Sequence, residues 1–232
     1  MKHSLSLTVI VALIVLYGCS KNSTSTPPGP TVVVPNVGST FTFMNTHRDT
    51  TGKTVKIDTS VRTIAQTNMT IAGYSDVTMI VELNTSTKIY DTVYVRYLSN
   101  GDISRLSSPS LGVQPPVWFT IPYTSHTTPA PYNFSGTASA PGYTHDSASF
   151  SVSYVGNDND TVSGVLYPVS IVSTSTFQAV TAPGKDSTEF VVQTNSFIPS
   201  KGIFGNRNVS VNQFKGKNVQ REQQTLISVS LK

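Results

Sequence analysis

The chain has 232 residues, a single cysteine and a formal net charge of +4, and only 12% of its residues are charged. The lone cysteine excludes an internal disulfide, and so small a positive charge argues against a nucleic-acid partner. The 31 serines and 31 threonines, together with many β-branched residues, favour strands over disorder or coiled coil.

Residues 1–18 have the pattern of a signal peptide. Lys2 supplies a positive start, and the apolar run Leu5 to Leu16 that follows is too short to span a bilayer as a stable helix. The sequence Leu16-Tyr17-Gly18-Cys19-Ser20 resembles the bacterial lipobox, in which an apolar residue and a small residue precede an obligatory cysteine. The resemblance implies that Cys19 becomes the acylated N-terminus and that its lipid anchors the chain in a membrane.

Residues 19–36 are predicted to form the lipidated N-terminus and a flexible tether, because serine, threonine and proline dominate them. Ser20 stands where an aspartate would resemble an inner-membrane retention signal, which favours the outer membrane. The acidic cluster that follows the cysteine in surface-exposed relatives is missing. We therefore expect an outer-membrane lipoprotein, with the periplasmic leaflet favoured over the cell surface.

Residues 37–232 are predicted to form an all-β domain, because apolar and polar residues alternate along about nine to eleven segments. In one such segment Val55 and Ile57 form the apolar side, and Asp58, like Glu82 further on, is predicted to lie on a solvent face. Strands with one apolar and one hydroxyl-rich face indicate antiparallel pairing. Turns are predicted at Thr51-Gly52, Ser99 to Asp102, Gly156 to Asp160, Pro183 to Asp186 and Lys215 to Lys217.

The stretch 107–147 breaks this pattern and holds seven of the fourteen prolines, which cannot sit in central strands. It is predicted to be a functional loop, a cover over an open sheet edge, or a hinge between half-domains. Its aromatic residues lack periodicity, so they either anchor the loop in the core or form a ligand-binding surface. These candidates are Trp118, Phe119, Tyr123, Tyr132, Phe134 and Tyr143.

The layout of the domain resembles one group of Gram-negative lipoproteins. The resemblance lies in the strand start Gly38-Ser39-Thr40-Phe41, the turn Asn100-Gly101-Asp102, the middle that contains Trp118, and the closing run Lys201-Gly202-Ile203-Phe204-Gly205. Those proteins are similar in outline to the outer-membrane lipoprotein carriers. The resemblance implies a strongly curved antiparallel half-barrel over an apolar concavity, although the helical lid of the carriers has no counterpart here.

No catalytic residue, metal site or cofactor is predicted. Thr144-His145-Asp146-Ser147 cannot form a nucleophilic relay on a strand, because neighbouring side chains point to opposite faces. The histidines of the mature chain, His47, His126 and His145, are widely spaced and lack metal-site patterns. The basic run that contains Lys201, Arg207 and Arg221 is predicted to be a solvated face, or a surface that orients the protein near an anionic leaflet.

Aspartate is followed by serine or threonine in six of nine cases, which is more than the composition predicts. The pattern resembles an O-glycosylation acceptor motif of exported proteins, and strand ends rich in hydroxyls are the alternative origin. The candidate acceptors are Thr50, Thr92, Ser147, Thr161 and Ser187.

Together these observations predict one large curved antiparallel sheet, a half-barrel, with a two-sheet β-sandwich as the alternative. We expect a non-enzymatic envelope lipoprotein that binds an apolar or amphipathic ligand in the concavity of the sheet, or that acts as a scaffold. The alternative hypothesis is a surface module that binds glycans or proteins through the aromatic residues of 107–147.

Overall fold

A computed structural model describes residues 32–49, 51–106, 117–136, 145–182, 185–213 and 217–232. Several predictions lie outside these ranges: the signal peptide, the tether up to residue 31, Cys19, Thr50 and Tyr143. For Phe134 and Ser187 the structure describes the backbone and not the side chain.

The described residues form twelve strands and one short 3-10 turn at Pro199–Lys201. Within these ranges no helix has the length and apolar character needed to cross a membrane. The strands are β1 (Thr40–Arg48), β2 (Thr54–Ile71), β3 (Tyr74–Asn84), β4 (Tyr90–Tyr97), β5 (Ile103–Leu106), β6 (Trp118–Ile121), β7 (Tyr132–Gly136), β8 (His145–Val162), β9 (Val165–Ala182), β10 (Lys185–Ile198), β11 (Ile203–Gln213) and β12 (Lys217–Ser230).

All twelve strands belong to one antiparallel sheet in the order β6-β5-β4-β3-β2-β1-β12-β11-β10-β9-β8-β7. The first and last strands of the chain, β1 and β12, pair in the middle, and each half of the sheet curls into a half-barrel. The predicted all-β half-barrel fold is confirmed. The edge strands β6 and β7 both come from the proline-rich stretch, in agreement with the exclusion of proline from central strands.

The link between the two edge strands is held by a buried aspartate. Asp102 follows the turn after β4, and its Oδ1 accepts hydrogen bonds from the backbone N–H groups of Thr124 (2.9 Å) and Ser125 (3.0 Å). Burial by itself would raise the pKa of the Asp102 carboxyl. These hydrogen bonds lower the pKa by more than burial raises it, so the pKa lies below its usual range. The carboxylate therefore fixes the path of the chain as it leaves β6.

Two of the longest hairpins close with two-residue turns. Ala72 and Gly73 join β2 to β3, and Ser163 and Gly164 join β8 to β9, with positive φ at all four residues. Such turns match the right-handed twist of the flanking strands. The turn predicted at Gly156 to Asp160 is therefore wrong, because those residues continue β8 and the chain reverses a few residues later. The turns predicted at Thr51-Gly52 and Ser99 to Asp102 are confirmed.

The apolar core lies between the two halves of the sheet. Phe119 on β6 packs against Phe150 on β8, with ring centroids 4.4 Å apart. Tyr123 stacks on Phe197 of β10 at 4.5 Å. Because each contact joins a residue of one half, in or just after β6, to a strand of the other half, these aromatic side chains hold the curled halves together.

The face of strand β2 that packs against the core is the one that was predicted to face solvent. Val55 and Ile57 are 62% and 61% exposed, whereas Asp58, Ser60 and Arg62 are buried. Glu82 is half-buried. The expectation that Asp58 and Glu82 lie on solvent faces is therefore wrong, and the physical reason is a hydrogen-bond network that satisfies these groups inside the sheet.

The last residues of the predicted tether lie against the domain. The Val33 N–H donates to the Pro199 carbonyl at 3.0 Å, and the Asn36 side-chain amide donates to the Lys232 carbonyl at 2.8 Å. Pro35 is buried, and Val32 packs against the core cluster. Residues 32–36 therefore fix the direction in which the chain leaves the domain.

Candidate functional site

A cavity of about 260 Å³ lies between the two halves of the sheet, just below the size of typical small-molecule sites. Its wall combines apolar and polar side chains from nine strands. The lining residues are Arg62, Ile80, Glu82, Asp91, Val93, Arg105, Phe119, Ile121, Phe150, Thr174, Thr176, Gln193, Asn195, Ile203, Phe204 and Arg207.

The apolar part of the cavity wall is formed chiefly at the meeting of β6 and β8. Phe119 and Ile121 are the buried residues of β6 and alternate with the half-buried Trp118 and Thr120, so both point inward. Phe150 meets Phe119 from the other half. In β5 and β6, Arg105 pairs directly with Phe119, and Ile103 with Ile121. Directly paired residues share a face, so an apolar surface adjoins a guanidinium group.

Arg62 and Glu82 form an ion pair at one side of the cavity. Arg62 Nε donates to Glu82 Oε2 at 2.8 Å, and Arg62 Nη2 donates to Gln224 Oε1 at 2.7 Å. Gln224 in turn donates to Glu82 Oε1 at 2.9 Å. Burial by itself would raise the pKa of the Glu82 carboxyl. The charge and the hydrogen bond of Arg62 outweigh burial and lower the pKa, so the carboxylate stays ionised.

The same network continues away from the cavity along the inner faces of β1 and β2. Gln224 Nε2 donates to Asn45 Oδ1 at 3.0 Å, and Asn45 Nδ2 donates to Asp58 Oδ1 at 2.8 Å. Lys56 Nζ lies 2.6 Å from Asp58 Oδ2. Burial raises the pKa of Asp58, but hydrogen bonds from Lys56 and Asn45 outweigh it and bring the value to about 2. The side chains of Asn45, Asp58 and Gln224 on this face are thus linked by hydrogen bonds.

Arg105 and Arg207 differ from Arg62. Both line the cavity, yet neither makes a hydrogen bond or ion pair with any residue that the structure describes, and Arg207 Nε is fully buried. Burial, with repulsion from Arg207 and Arg62, lowers the pKa of Arg105 to about 10. Burial and the charge of Arg62 also lower the pKa of Arg207. Both guanidinium groups remain charged at neutral pH and face the interior of the protein.

The prediction of a solvated basic face is wrong for Arg207. The same side of β11 carries the buried residues Ile203 and Gly205 at two-residue spacing, and this period brings Arg207 inward. That spacing was the available signal in the sequence. Arg221 is exposed, as the prediction requires.

The predicted aromatic candidates whose side chains the structure describes do not form one surface. Phe119 and Tyr123 are buried, and Phe119 is the one candidate among the described side chains that lines the cavity. Tyr132 is half-buried, and its hydroxyl accepts a hydrogen bond from the Thr120 N–H at 3.2 Å. Trp118 packs edge-to-face on the exposed ring of Tyr74 at 5.7 Å, with an interplanar angle of 76°.

The candidate glycosylation residues that the structure describes are accessible to different degrees. Thr92 and Thr161 are exposed, at the start of β4 and near the end of β8. Ser147 is half-buried.

Within the described ranges, no group of three or more histidine, cysteine or acidic side chains is placed to hold a metal ion. His47 lies 3.4 Å from Asp58 and 3.9 Å from Glu222. His126 stacks on Tyr154 with ring centroids 3.8 Å apart. The two histidine side chains thus belong to separate clusters.

No protein-family model matches the chain, and no curated protein is similar to it. A solved structure that is similar to this chain is that of an exported protein with a YmcC-like fold from Bacteroides fragilis. The two share 12% sequence identity, the likeness covers 87% of this chain and 99% of that chain, and the TM-score is 0.43.

Proposed function

We propose that this protein is a lipid-anchored envelope protein that binds a small amphipathic molecule in the cavity between the halves of its sheet. The observation that carries the proposal is the composition of the cavity wall. Phe119, Ile121 and Phe150 supply an apolar surface, and Arg105 and Arg207 supply charged groups beside it. A ligand with an apolar part and a polar part complements such a wall.

Binding, rather than catalysis, suits the polar groups of this cavity. Glu82 is held by Arg62 and Gln224, so its oxygens are engaged in the hydrogen-bond network. The remaining polar groups of the wall are mostly guanidinium groups, amides and hydroxyls, which position a ligand through hydrogen bonds. We therefore propose a non-enzymatic role for the cavity.

The proposed location is the outer membrane, with the periplasmic leaflet favoured. It follows from the lipobox around Cys19, the neutral Ser20 and the missing acidic cluster. Several acyl chains together hold a protein far more firmly than one chain does. The anchor would keep the ligand-binding domain close to the membrane surface, where amphipathic molecules are concentrated.

A cavity-filling substitution tests the binding role. We expect the full chain with Cys19→Ser, purified without detergent, to yield a small amphiphile on solvent extraction and mass spectrometry, and to bind added decanol. Val93→Trp, which fills the cavity from β4, should abolish both. Val55→Trp, on the exposed face of β2, is the matched control and should change neither. Binding by Val93→Trp equal to that of the control would contradict the proposal.

A second candidate function uses the exposed end of the sheet near Trp118. Arg96 lies 3.7 Å above the Tyr74 ring and is held by two hydrogen bonds to Asp76, so aromatic and polar groups share one surface there. Aromatic rings beside fixed polar groups suit glycan or protein recognition. Glycan-array binding that is lost in Trp118→Ala, without any extracted amphiphile, would favour this function over the first.

A further inference from the structure

We propose that Arg105 and Arg207 bind the anionic headgroup of the ligand, a carboxylate or a phosphate, while its apolar chain lies against Phe119, Ile121 and Phe150. The inference rests on the proposed function, because it assigns the two ends of an amphiphile within the same cavity. It names the charge of the ligand, its orientation and the residues that select it.

The charges of the cavity wall are unbalanced. Three guanidinium groups face two carboxylates, those of Glu82 and Asp91. Glu82 is taken by Arg62, and Asp91 is an exposed residue at the start of β4. Arg105 and Arg207 are thus left without a hydrogen-bonded anion among the described residues, and the wall carries an excess of one positive charge.

A charged side chain that is removed from water and left unpaired is unfavourable, so such groups in folded proteins are usually paired. Arg207 Nε is buried and lacks an acceptor in the described part of the chain. A guanidinium group presents its donors as a planar fork that matches a carboxylate or a phosphate. An anionic headgroup supplies the acceptors that the protein itself does not provide here.

The orientation of the ligand follows from the strand register. Arg105 on β5 is the direct partner of Phe119 on β6. Phe119 contacts Phe150 across the cavity. On the opposite wall Arg207 pairs with Asn195, another lining residue. Arg105 therefore adjoins the aromatic surface at the distance between neighbouring strands, and Arg207 lines the cavity from the other half of the sheet.

The experiment uses the full chain with Cys19→Ser, extracted free of lipid, in isothermal titration calorimetry at physiological salt. The probes are decanoate, decyl phosphate, decanol and inorganic phosphate. We expect at least one of the two anionic amphiphiles to bind tenfold or more tightly than decanol, since hydrogen bonds to charged groups contribute at this level. Inorganic phosphate, which lacks the chain, should bind more weakly than decyl phosphate.

Substitution of the two arginines then tests their assignment. Arg105→Gln and Arg207→Gln should each weaken binding of the preferred anionic amphiphile by about tenfold or more and leave decanol binding unchanged. Arg221→Gln removes the same charge from an exposed position and should have no effect. If thermal unfolding shows that none of the three variants is less stable than the unchanged chain, the loss of binding is local.

Each of the other outcomes contradicts one part of the proposal. If neither decanol nor the anionic amphiphiles bind, the proposed function fails. If decanol binds as tightly as both anionic amphiphiles, the cavity binds amphiphiles but the headgroup assignment is wrong. If both glutamine variants keep the anionic preference, these arginines are not the site. If inorganic phosphate binds as tightly as decyl phosphate, the ligand is a free anion and the chain assignment is wrong.

Discussion

Arg105 and Phe119 are direct cross-strand partners in β5 and β6, and both side chains line the cavity. An aromatic ring beside a guanidinium group without a protein partner creates a boundary between an apolar and a charged surface. The register of β5 and β6 places this boundary, because directly paired residues share a face of the sheet. The polarity of the cavity therefore depends on how β5 and β6 pair.

Removal of an unpaired, half-buried charge should stabilise the protein. We predict that Arg105→Met raises the free energy of unfolding of the lipid-free chain by about 1 kcal/mol, because the half-buried guanidinium loses part of its hydration on folding without gaining a protein anion. Urea unfolding measures the change.

Arg62→Met is the matched comparison, because Arg62 is hydrogen-bonded to Glu82 and Gln224. We expect it to lower the free energy of unfolding by about 3 kcal/mol, since it leaves the partly buried carboxylate of Glu82 without its cation. Equal destabilisation by Arg105→Met would mean that Arg105 has a structural partner.

Acid should weaken the fold through Asp58. Its pKa is about 2 in the folded protein against an ordinary value of 3.8, so the folded state holds this proton less tightly than the unfolded state. The carboxylate therefore contributes stability above about pH 4, and the contribution is lost as the pH falls towards 2.

Glu82, whose pKa is also lowered, acts in the same direction. Urea unfolding between pH 5 and pH 2 should show this loss as a free energy of unfolding that falls with the pH. Asp58→Asn should reduce the slope of the free energy of unfolding against pH. Asp158→Asn, at an exposed position on β8, should keep the slope of the unchanged chain. A slope that does not change in Asp58→Asn would contradict the assignment.

Gly202 is required where the chain from residue 32 meets the domain. Its φ is +63°, and a Cβ at this position would collide with the Val33 carbonyl oxygen. We predict that Gly202→Ala destabilises the fold by about 2–3 kcal/mol or releases residues 32–36 from the surface. Urea unfolding and hydrogen exchange at Val33 measure the two effects.

Gly164→Ala is the control for the backbone conformation. Gly164 also has a positive φ, +79°, but no atom lies within 4 Å of the position of a Cβ. Its substitution should therefore cost only about 1 kcal/mol and leave hydrogen exchange at Val33 unchanged. If the two alanine variants behave alike, the contact with Val33 has no role.

The strand character and antiparallel pairing could be predicted because two-residue alternation is a local property of the sequence. Which side of a strand faces the core is not local. In β2, the sequence favours Val55 and Ile57 as the inner side, but the network of Asn45, Asp58 and Gln224 makes the polar side the buried one. Those partners come from strands at both ends of the chain, so no single segment contains the signal.

The charged lining of the cavity could not be predicted for a similar reason. Arg105 and Arg207 belong to opposite halves of the sheet, and the segment around Arg207 has the composition of a basic surface. Phe119 was the only one of the predicted aromatic candidates that the described structure places in the cavity wall. Its neighbours Trp118 and Thr120 point to the other face, as strand geometry requires.

The glycosylation hypothesis predicts that the protein from its native host has a larger mass than acylation alone explains. Thr92 and Thr161 are exposed, so an enzyme can reach them, whereas Ser147 is half-buried. Intact-mass measurement should show additions beyond acylation, and the additions should decrease when Thr92 and Thr161 are replaced by valine. A mass that acylation alone explains would contradict the hypothesis.

Replacement of Cys19 by serine tests the proposed anchor, because the hydroxyl cannot form the thioether to the lipid. We predict that the unchanged protein sediments with the outer membrane and carries a mass increment of acyl chains on its N-terminus. The Cys19→Ser variant should lack this increment, and its folded domain should keep the same unfolding transition. Membrane association of the lipid-free domain released by cleavage within residues 20–31 would show that the domain itself binds the bilayer. In that case the cavity would not depend on the anchor for its access to amphiphiles.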